Sequence, residues 1–508
     1  MILKNDPSSG KAIGEFPIST PDDVNQAVAR ARAAFPAWRD AGIDSRLESL
    51  DALRGVIARH GESYAKRISQ DTGKPLGDSL LTELMTIPMF IDYYKKHAKK
   101  TLGRQKREAS LLFPGKAHYV EYFPMGVIGI ISPWNFPFQL SVIPILSALI
   151  AGNTVVLKPS EITPITGEVI RECFAAIGLP PGVVEVVQGD GATGAALVEA
   201  DIDKIFFTGS LETGKRVMAA AAKKPIPVEL ELGGKDAMIV CHDANLKRAA
   251  KAAVWGGFVN CGQMCVSVER LFVVDAVHDE FLQLVKDEVD ALRFGSPDED
   301  ADIGPLTSQA QRDIVERHVQ SAIDEGATVL SGGQSVERDG HFFEPTLISG
   351  VRPDMTIYKE ETFGPVLPVI RVRDEEEAIQ LANDHIYGLT GSVWTQDIER
   401  GMALASRMES GQCCVNDLVT SVGNPILPFG GVKKSGFGRY HGTEGLIAFS
   451  HQRAILVDRG WLKSEPFWFP YTGKYDTLND VFQGLLRGNM IRAGKALTKL
   501  IFRMNRPS

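Results

Sequence analysis

Three things are scarce in this 508-residue chain: cysteine, positive charge and long apolar runs. The six cysteines are Cys173, Cys241, Cys261, Cys265, Cys413 and Cys414. They show neither the two-plus-two spacing of a zinc site nor a dense disulfide framework, so no metal site is expected and a reducing compartment fits. Lysine and arginine number 55 against 63 acids, a net charge of −8, which excludes general attraction to nucleic acid. The longest apolar stretch, residues 140–152, is interrupted by Ser141, Pro144 and Ser147. It falls short of the roughly 20 residues a bilayer demands and reads as a buried helix. The start, Met1-Ile2-Leu3-Lys4-Asn5-Asp6-Pro7, turns polar at once and carries no signal-peptide core, which gives a cytoplasmic expectation. What is present, 44% hydrophobic and 23% charged residues, is ordinary globular composition, and the length implies two to four domains.

Periodicity predicts helices over 22–38, entered through Ser19-Thr20-Pro21, over 46–70, and over 82–101, the last kinked or delayed by Pro88. Short apolar strands at 119–123 and 127–131 then give way to alternation. A helix at 140–151, a strand at 154–157, a helix at 167–177 and a strand at 183–187 follow. A helix at 194–200, a strand at 204–207 and a helix from Glu212 complete the run. Strands separated by helices imply a parallel α/β sheet with right-handed crossovers. A second α/β run begins after Leu232, with strands near 238–240, 270–274 and 366–371 and helices at 246–258 and 278–292, so a domain boundary falls near Leu230. After Gly460 the chain turns aromatic and irregular (Phe467-Trp468-Phe469-Pro470-Tyr471). From Gly484 it reads as one basic amphipathic helix, with Leu486, Met490, Ala493, Leu497, Leu500, Ile501 and Met504 on one face, weakened by Gly488 and Gly494.

The chemistry concentrates in a few segments. Asn260-Cys261-Gly262-Gln263-Met264-Cys265 sets a candidate thiolate nucleophile, Cys265, in a tight polar turn after a helix, with Cys261 as structural background. Glu231 ends a strand-like run before Leu232-Gly233-Gly234-Lys235 and is a candidate base. Glu229 and Glu231 share one side of that strand, either as working groups or as surface charges. Asn135, in the Pro-rich turn 132–137, can donate to an oxyanion alongside the Cys265 backbone N–H; unaided, it reads as a turn-former. A Gly-x-Gly-x-x-Gly dinucleotide fingerprint is missing from the first strand–helix junctions. Phe207-Thr208-Gly209-Ser210-Leu211-Glu212-Thr213-Gly214 occupies the analogous place, and Lys158-Pro159-Ser160-Glu161 supplies an acid for a ribose 2′-hydroxyl.

Assembled in order, these motifs resemble the NAD(P)-dependent aldehyde dehydrogenase superfamily over nearly all of residues 3–457. Glu361-Thr362-Phe363-Gly364-Pro365 and Pro428-Phe429-Gly430-Gly431 extend the match. The resemblance implies that Cys265 attacks an aldehyde, that Asn135 and the Cys265 N–H hold the oxyanion, and that Glu231 activates water to hydrolyse a thioester. It implies NAD as cofactor, with NADP possible. Lys158, Ser160 and Glu161 would lie at the adenosine ribose, Trp134, Gly209, Ser210 and Gly214 along the phosphates, and Leu232, Glu361 and Phe363 toward the nicotinamide. The implied fold is a Rossmann-like cofactor domain (1–105 and 124–231), an α/β catalytic domain (232–444), and a bridging β-hairpin with its partner strand (106–123 and 445–460) that builds dimers or tetramers. Residues 461–508 form the tail. Gly438-Arg439-Tyr440-His441-Gly442 and Phe449-Ser450-His451-Gln452-Arg453 look closer to the class acting on fatty and aromatic aldehydes, whereas the N-terminal arm has the longer mainstream form.

No cation follows Asn135 in Phe136-Pro137-Phe138-Gln139-Leu140-Ser141, and Val422, Ile426 and Leu427 add apolar surface. A neutral aliphatic or aromatic aldehyde is therefore expected over a semialdehyde acid. A coenzyme-A-acylating relative is the alternative among enzymes, and Glu231 argues against it. The tail has three readings: packing on the protein itself or a partner subunit, peripheral contact with a membrane, or a lid over the substrate entrance.

Overall fold

The computed structural model describes residues 1–110, 113 and 115–504 and divides into two units, residues 1–101 with 124–450 and residues 102–123 with 451 onward.

The first unit holds two α/β sheets. In one, five parallel strands run in the order Val228–Glu231, Lys204–Thr208, Val127–Ile131, Thr154–Lys158, Val184–Val186. Progression reverses on either side of Val127–Ile131, so a crevice opens at the carboxyl ends of this strand and Lys204–Thr208, where open α/β sheets bind ligands. The turn 132–137 and the Gly209-Ser210 turn both leave from those ends. The helix Gln139–Ala151 is buried at every position, as the apolar run predicts. Its first N–H groups, left without intrahelical partners, are met by Glu83, whose Oε2 accepts from the Phe138 and Gln139 N–H groups at 3.1 and 2.8 Å.

The second sheet runs Thr328–Ser331, Thr346–Ser349, Val366–Val372, Val268–Val274, Asp236–Val240, Gly391–Trp394, Cys414–Val415, parallel except at the Thr328–Ser331 edge. The chain crosses to it directly after Glu231. One late segment crosses back: Gly436–Phe437 pairs antiparallel with Leu230 and Glu231. Residues 436–437, grouped by sequence with the catalytic domain, therefore belong to the first sheet.

Pro88 neither starts nor ends the helix: a helical stretch from Leu76–Asp78 passes through a π-helical turn at Ser79–Leu84 into Thr86–Leu102, of which Pro88 is the third residue.

In the second unit, Gln105–Arg107, Lys116–Pro124 and Ser450–Asp458 form a three-stranded sheet; residues 111, 112 and 114 of the predicted hairpin lie outside the described residues. The single tail helix expected from Gly484 is a correction. The helix Tyr475–Leu486 ends before Gly488 (φ 63°), and a second, Met490–Met504, folds back with Ala493, Leu497 and Val481 forming a small core. Gly488 stops the helix because its left-handed backbone terminates the pattern. Among the described residues no helix is long and apolar enough to cross a membrane.

Candidate active site

Cys265 follows an abrupt helix end. After Leu246–Phe258, three consecutive residues adopt left-handed backbone: Asn260 (φ 52°), Cys261 (φ 57°) and Gly262 (φ 68°). Asn tolerates this region, Gly prefers it, and Cys carries strain there. Any Cβ at Gly262 would collide with the Gly364 carbonyl. Side-chain amides lock the turn. Asn260 Nδ2 donates to the Asn135 and Gln263 carbonyls (2.9 and 3.1 Å), Gln263 Nε2 donates to the Asn260 carbonyl (3.0 Å), and Gln263 Oε1 accepts from Thr307 N–H (2.9 Å). Cys261 is buried in the apolar core of the second sheet, consistent with structural background.

Asn135 is brought to the same turn, its Nδ2 donating to the Gln263 carbonyl at 3.1 Å. Its own carbonyl accepts from Lys74 Nζ at 2.9 Å, and Lys74 forms a fully buried ion pair with Glu83 (2.7 Å) while lying 4.1 Å from the centre of the Phe136 ring. Glu83 thus caps the apolar helix with one oxygen and anchors the lysine that holds Asn135 with the other. Sequence reasoning missed this support, because nothing local marks Lys74 as the partner of a residue 61 positions away.

Glu231 ends its strand with the carboxyl group buried, and neither oxygen has a hydrogen-bond partner among the described residues. Burial, then the charge of Glu229, pushes this carboxyl well above the usual carboxylate range, and Arg439 opposes the shift. Glu229 is no surface charge either: it is buried and paired with Lys204 at 2.6 Å. The Cys265 thiol is raised by burial and then by the carboxyls of Asp236, Glu361 and Glu231.

Two cavities meet at these groups. One, of about 290 Å³, is lined by Trp134, Asn135, Gly209, Ser210, Glu361 and Phe363, among others. The other, of about 370 Å³, is apolar, walled by Leu81, Met85, Met89, Phe136, Trp255 and Val422, among others. Leu140, Thr208, Glu231, Leu232 and Cys265 line both. Leu81, Met85 and Met89 recur every fourth residue and are half exposed at the mouth. The sequence signal for them was present, apolar residues off the buried helix face, but only the fold shows what they face. Ile426 and Leu427, expected in the apolar wall, are exposed and do not line it.

The smaller cavity suits a dinucleotide. Ser210 caps the helix Leu211–Ala221, whose N-terminal N–H groups favour an anion. Glu361 Oε1 accepts from Gly234 N–H at 3.0 Å, and a side chain on Gly233 would strike the Glu361 carboxylate. Burial, then Glu269, raises Glu361 to about 8. The loop carrying it is fixed by Glu269, which accepts from Thr362 N–H (2.8 Å), Phe363 N–H (2.9 Å) and Lys235 Nζ (2.5 Å); Trp134 and Phe363 meet edge to face at 5.4 Å. Four sequence candidates are not on the cavity wall. Lys158 and Glu161 form an ion pair at 2.7 Å at the end of the neighbouring strand, with the Ser160 hydroxyl accepting from Ile162 N–H nearby. Gly214 lies one helical turn inside Leu211–Ala221, where a Cβ would stand 2.6 Å from Leu232 and so prevent close packing.

Residues 2–455 match the model of the aldehyde dehydrogenase family, and the chain belongs to that family. It is 45% identical over 467 residues to a 4,4'-diapolycopene aldehyde oxidase from Methylomonas sp, covering 92% of this chain and 87% of that protein. Among solved structures it is similar to a Mycobacterium tuberculosis aldehyde dehydrogenase complexed with NAD+ (TM-score 0.86, 38% identity, 91% of this chain and 95% of that one). It is equally similar in fold to an NADP-dependent enzyme from E. coli (TM-score 0.86, 33% identity, 90% and 94%). The protein is an aldehyde dehydrogenase.

Proposed function

We propose that this enzyme oxidises neutral, extended apolar aldehydes to carboxylic acids through a thioester on Cys265. The observation that carries this reading is the meeting of an apolar cavity and a polar one at Cys265 and Glu231. Among the described residues, the only charged side chain on the apolar wall is Glu231 itself, so no cation among them would hold a substrate carboxylate there. That favours a neutral aldehyde over a semialdehyde acid. The half-exposed Leu81, Met85 and Met89 continue the apolar path outward, and one relative is named a 4,4'-diapolycopene aldehyde oxidase.

In this reading the Cys265 thiolate forms a C–S bond to the carbonyl carbon. The Asn135 amide and the Cys265 N–H stabilise the oxygen that becomes negative. Ser210, Glu361, Trp134 and Phe363 hold the dinucleotide, with Lys158 and Glu161 toward its adenosine end. The chemistry that bound NAD supplies is acceptance of the hydride released as the thioester forms. Glu231 then takes a proton from water, and the water oxygen replaces sulfur on the acyl carbon. Such a base is superfluous in transfer to coenzyme A, and its unpartnered oxygens beside Cys265 favour hydrolysis.

The three-stranded sheet is the element proposed to build a homodimer or homotetramer. The tail is proposed to touch a membrane surface from a cytoplasmic setting. Its helices pack their inner faces together and leave Tyr475, Phe482, Leu486, Ile491 and Phe502 exposed, interleaved with Arg492, Lys495 and Lys499.

NADH formation with saturated aldehydes of increasing length tests the substrate reading. Burial at about 0.8 kcal/mol per methylene predicts that kcat/KM rises up to about fourfold with each added carbon until the cavity is filled. Equal turnover of chains ending in a carboxylate would contradict it.

A further inference from the structure

Resting on the roles just given to Cys265 and Glu231, we infer that the Tyr440 phenol is a positioning residue for the hydrolytic water, holding it against Glu231 so that its lone pair faces the thioester. Tyr440 is buried, its hydroxyl has no hydrogen-bond partner among the described residues, and it lines the apolar cavity together with Cys265 and Glu231. Among the described residues, the buried and unpartnered oxygens lining this cavity are the two of Glu231, the Tyr440 hydroxyl and the hydroxyls of Thr86 and Thr208. Buried polar atoms are rarely left so, and their clustering here marks a place for a small polar species.

The fold brings the chain that carries the phenol back to the Glu231 strand. Gly436–Phe437 pairs with the Glu231 end of the first sheet, and three residues later the chain reaches Tyr440. There it exchanges two backbone hydrogen bonds with Phe429 (2.6 and 2.9 Å). The ring is pinned by Phe206 at 5.2 Å, Phe429 at 5.5 Å and His441 at 4.1 Å. Glycines make room for the acids: a Cβ on Gly430 would stand 2.9 Å from Glu231 Oε1, and one on Gly438 would stand 2.5 Å from Glu229. His441 does not compete for the role. It is buried against Phe90 and Phe429, does not line the cavity, and burial lowers its pKa to about 3, so it is a neutral packing group. Burial and then Glu231 push the Tyr440 phenol far above its usual value, which keeps it a neutral hydroxyl.

The step balances as follows. One water O–H gives its proton to Glu231 while the other donates a hydrogen bond to Tyr440 Oη. The water oxygen bonds to the acyl carbon, the C–S bond breaks, and its electron pair returns to Cys265 Sγ as the carboxylic acid leaves.

Tyr440→Phe keeps the ring and removes only the hydroxyl. In rapid mixing with NAD and a medium-chain aldehyde, the variant is expected to form one NADH per site at a rate within about twofold of wild type. Steady-state turnover should then be about 10- to 100-fold slower, the scale of one lost buried hydrogen bond. Hydroxylamine, which attacks the thioester without a general base, should restore that turnover. Unchanged steady-state turnover would overturn the inference, and so would a first turnover that falls in step with it, the mark of a merely structural role. Failure of the underlying reading looks different: Glu231→Gln would then accumulate no acyl-enzyme at all.

Discussion

At the scale of single residues, the site needs two ionised groups in a place that disfavours both. The Cys265 thiol and the Glu231 carboxyl are each raised by burial and by neighbouring acids. Each acts deprotonated, so activity should be low in acid and climb as pH rises through neutrality into the alkaline range. A kcat/KM profile from pH 6 to 10 checks this, and a flat profile would contradict it. Glu361 is one of the three carboxyls acting on the thiol. Glu361→Gln should therefore shift the alkylation of Cys265 by iodoacetamide toward lower pH in the cofactor-free enzyme. Cys265 and Glu231 stood out as candidates because glycine turns mark them, whereas Asn135 alone read as a turn-former and became a candidate only through the family resemblance. Lys74, Glu83, Glu269 and Tyr440 were not, because their meaning comes from contacts between distant segments.

At the scale of elements, the site stands on loops leaving the carboxyl ends of adjacent strands, and buried ion pairs fix those loops. The Lys74–Glu83 pair ties the turn carrying Asn135 to the cap of the buried helix Gln139–Ala151. Removing one partner leaves the other charge buried and alone. Lys74→Met is thus expected to destabilise the protein by about 3–5 kcal/mol, read as a loss of urea midpoint, whereas Lys74→Met with Glu83→Leu should recover part of it. A single variant as stable as wild type would show that the pair holds nothing. Strands and helices of the parallel sheets were readable because their apolar runs are bounded by Gly and Pro. The short antiparallel strand Gly436–Phe437 was not, since two residues carry no periodicity. The tail was misread as one helix because the apolar spacing continues across Gly488, while the backbone does not.

At the scale of the whole molecule, motifs in order along some 450 residues made the α/β class legible, and the family match over residues 2–455 agrees. The substrate class was less legible, because the apolar wall is assembled from segments as far apart as Leu81 and Val422. The tail carries its own expectation. Removing residues 461–508 should abolish sedimentation with anionic phosphatidylserine vesicles while leaving turnover of a short soluble aldehyde within about twofold. High salt should weaken binding of the full chain, since Lys and Arg supply its electrostatic part. Equal sedimentation of both proteins would rule out the tail as the contact.

The central claim is a thioester on Cys265 that Glu231 resolves. Intact-protein mass spectrometry of Glu231→Gln, quenched after mixing with NAD and a long-chain aldehyde, tests it most directly. The account predicts a mass increase of one acyl group per chain, mapped to Cys265 and absent when Cys265→Ala is added. An unmodified Glu231→Gln protein that still turns over, or an adduct on another residue, would contradict it.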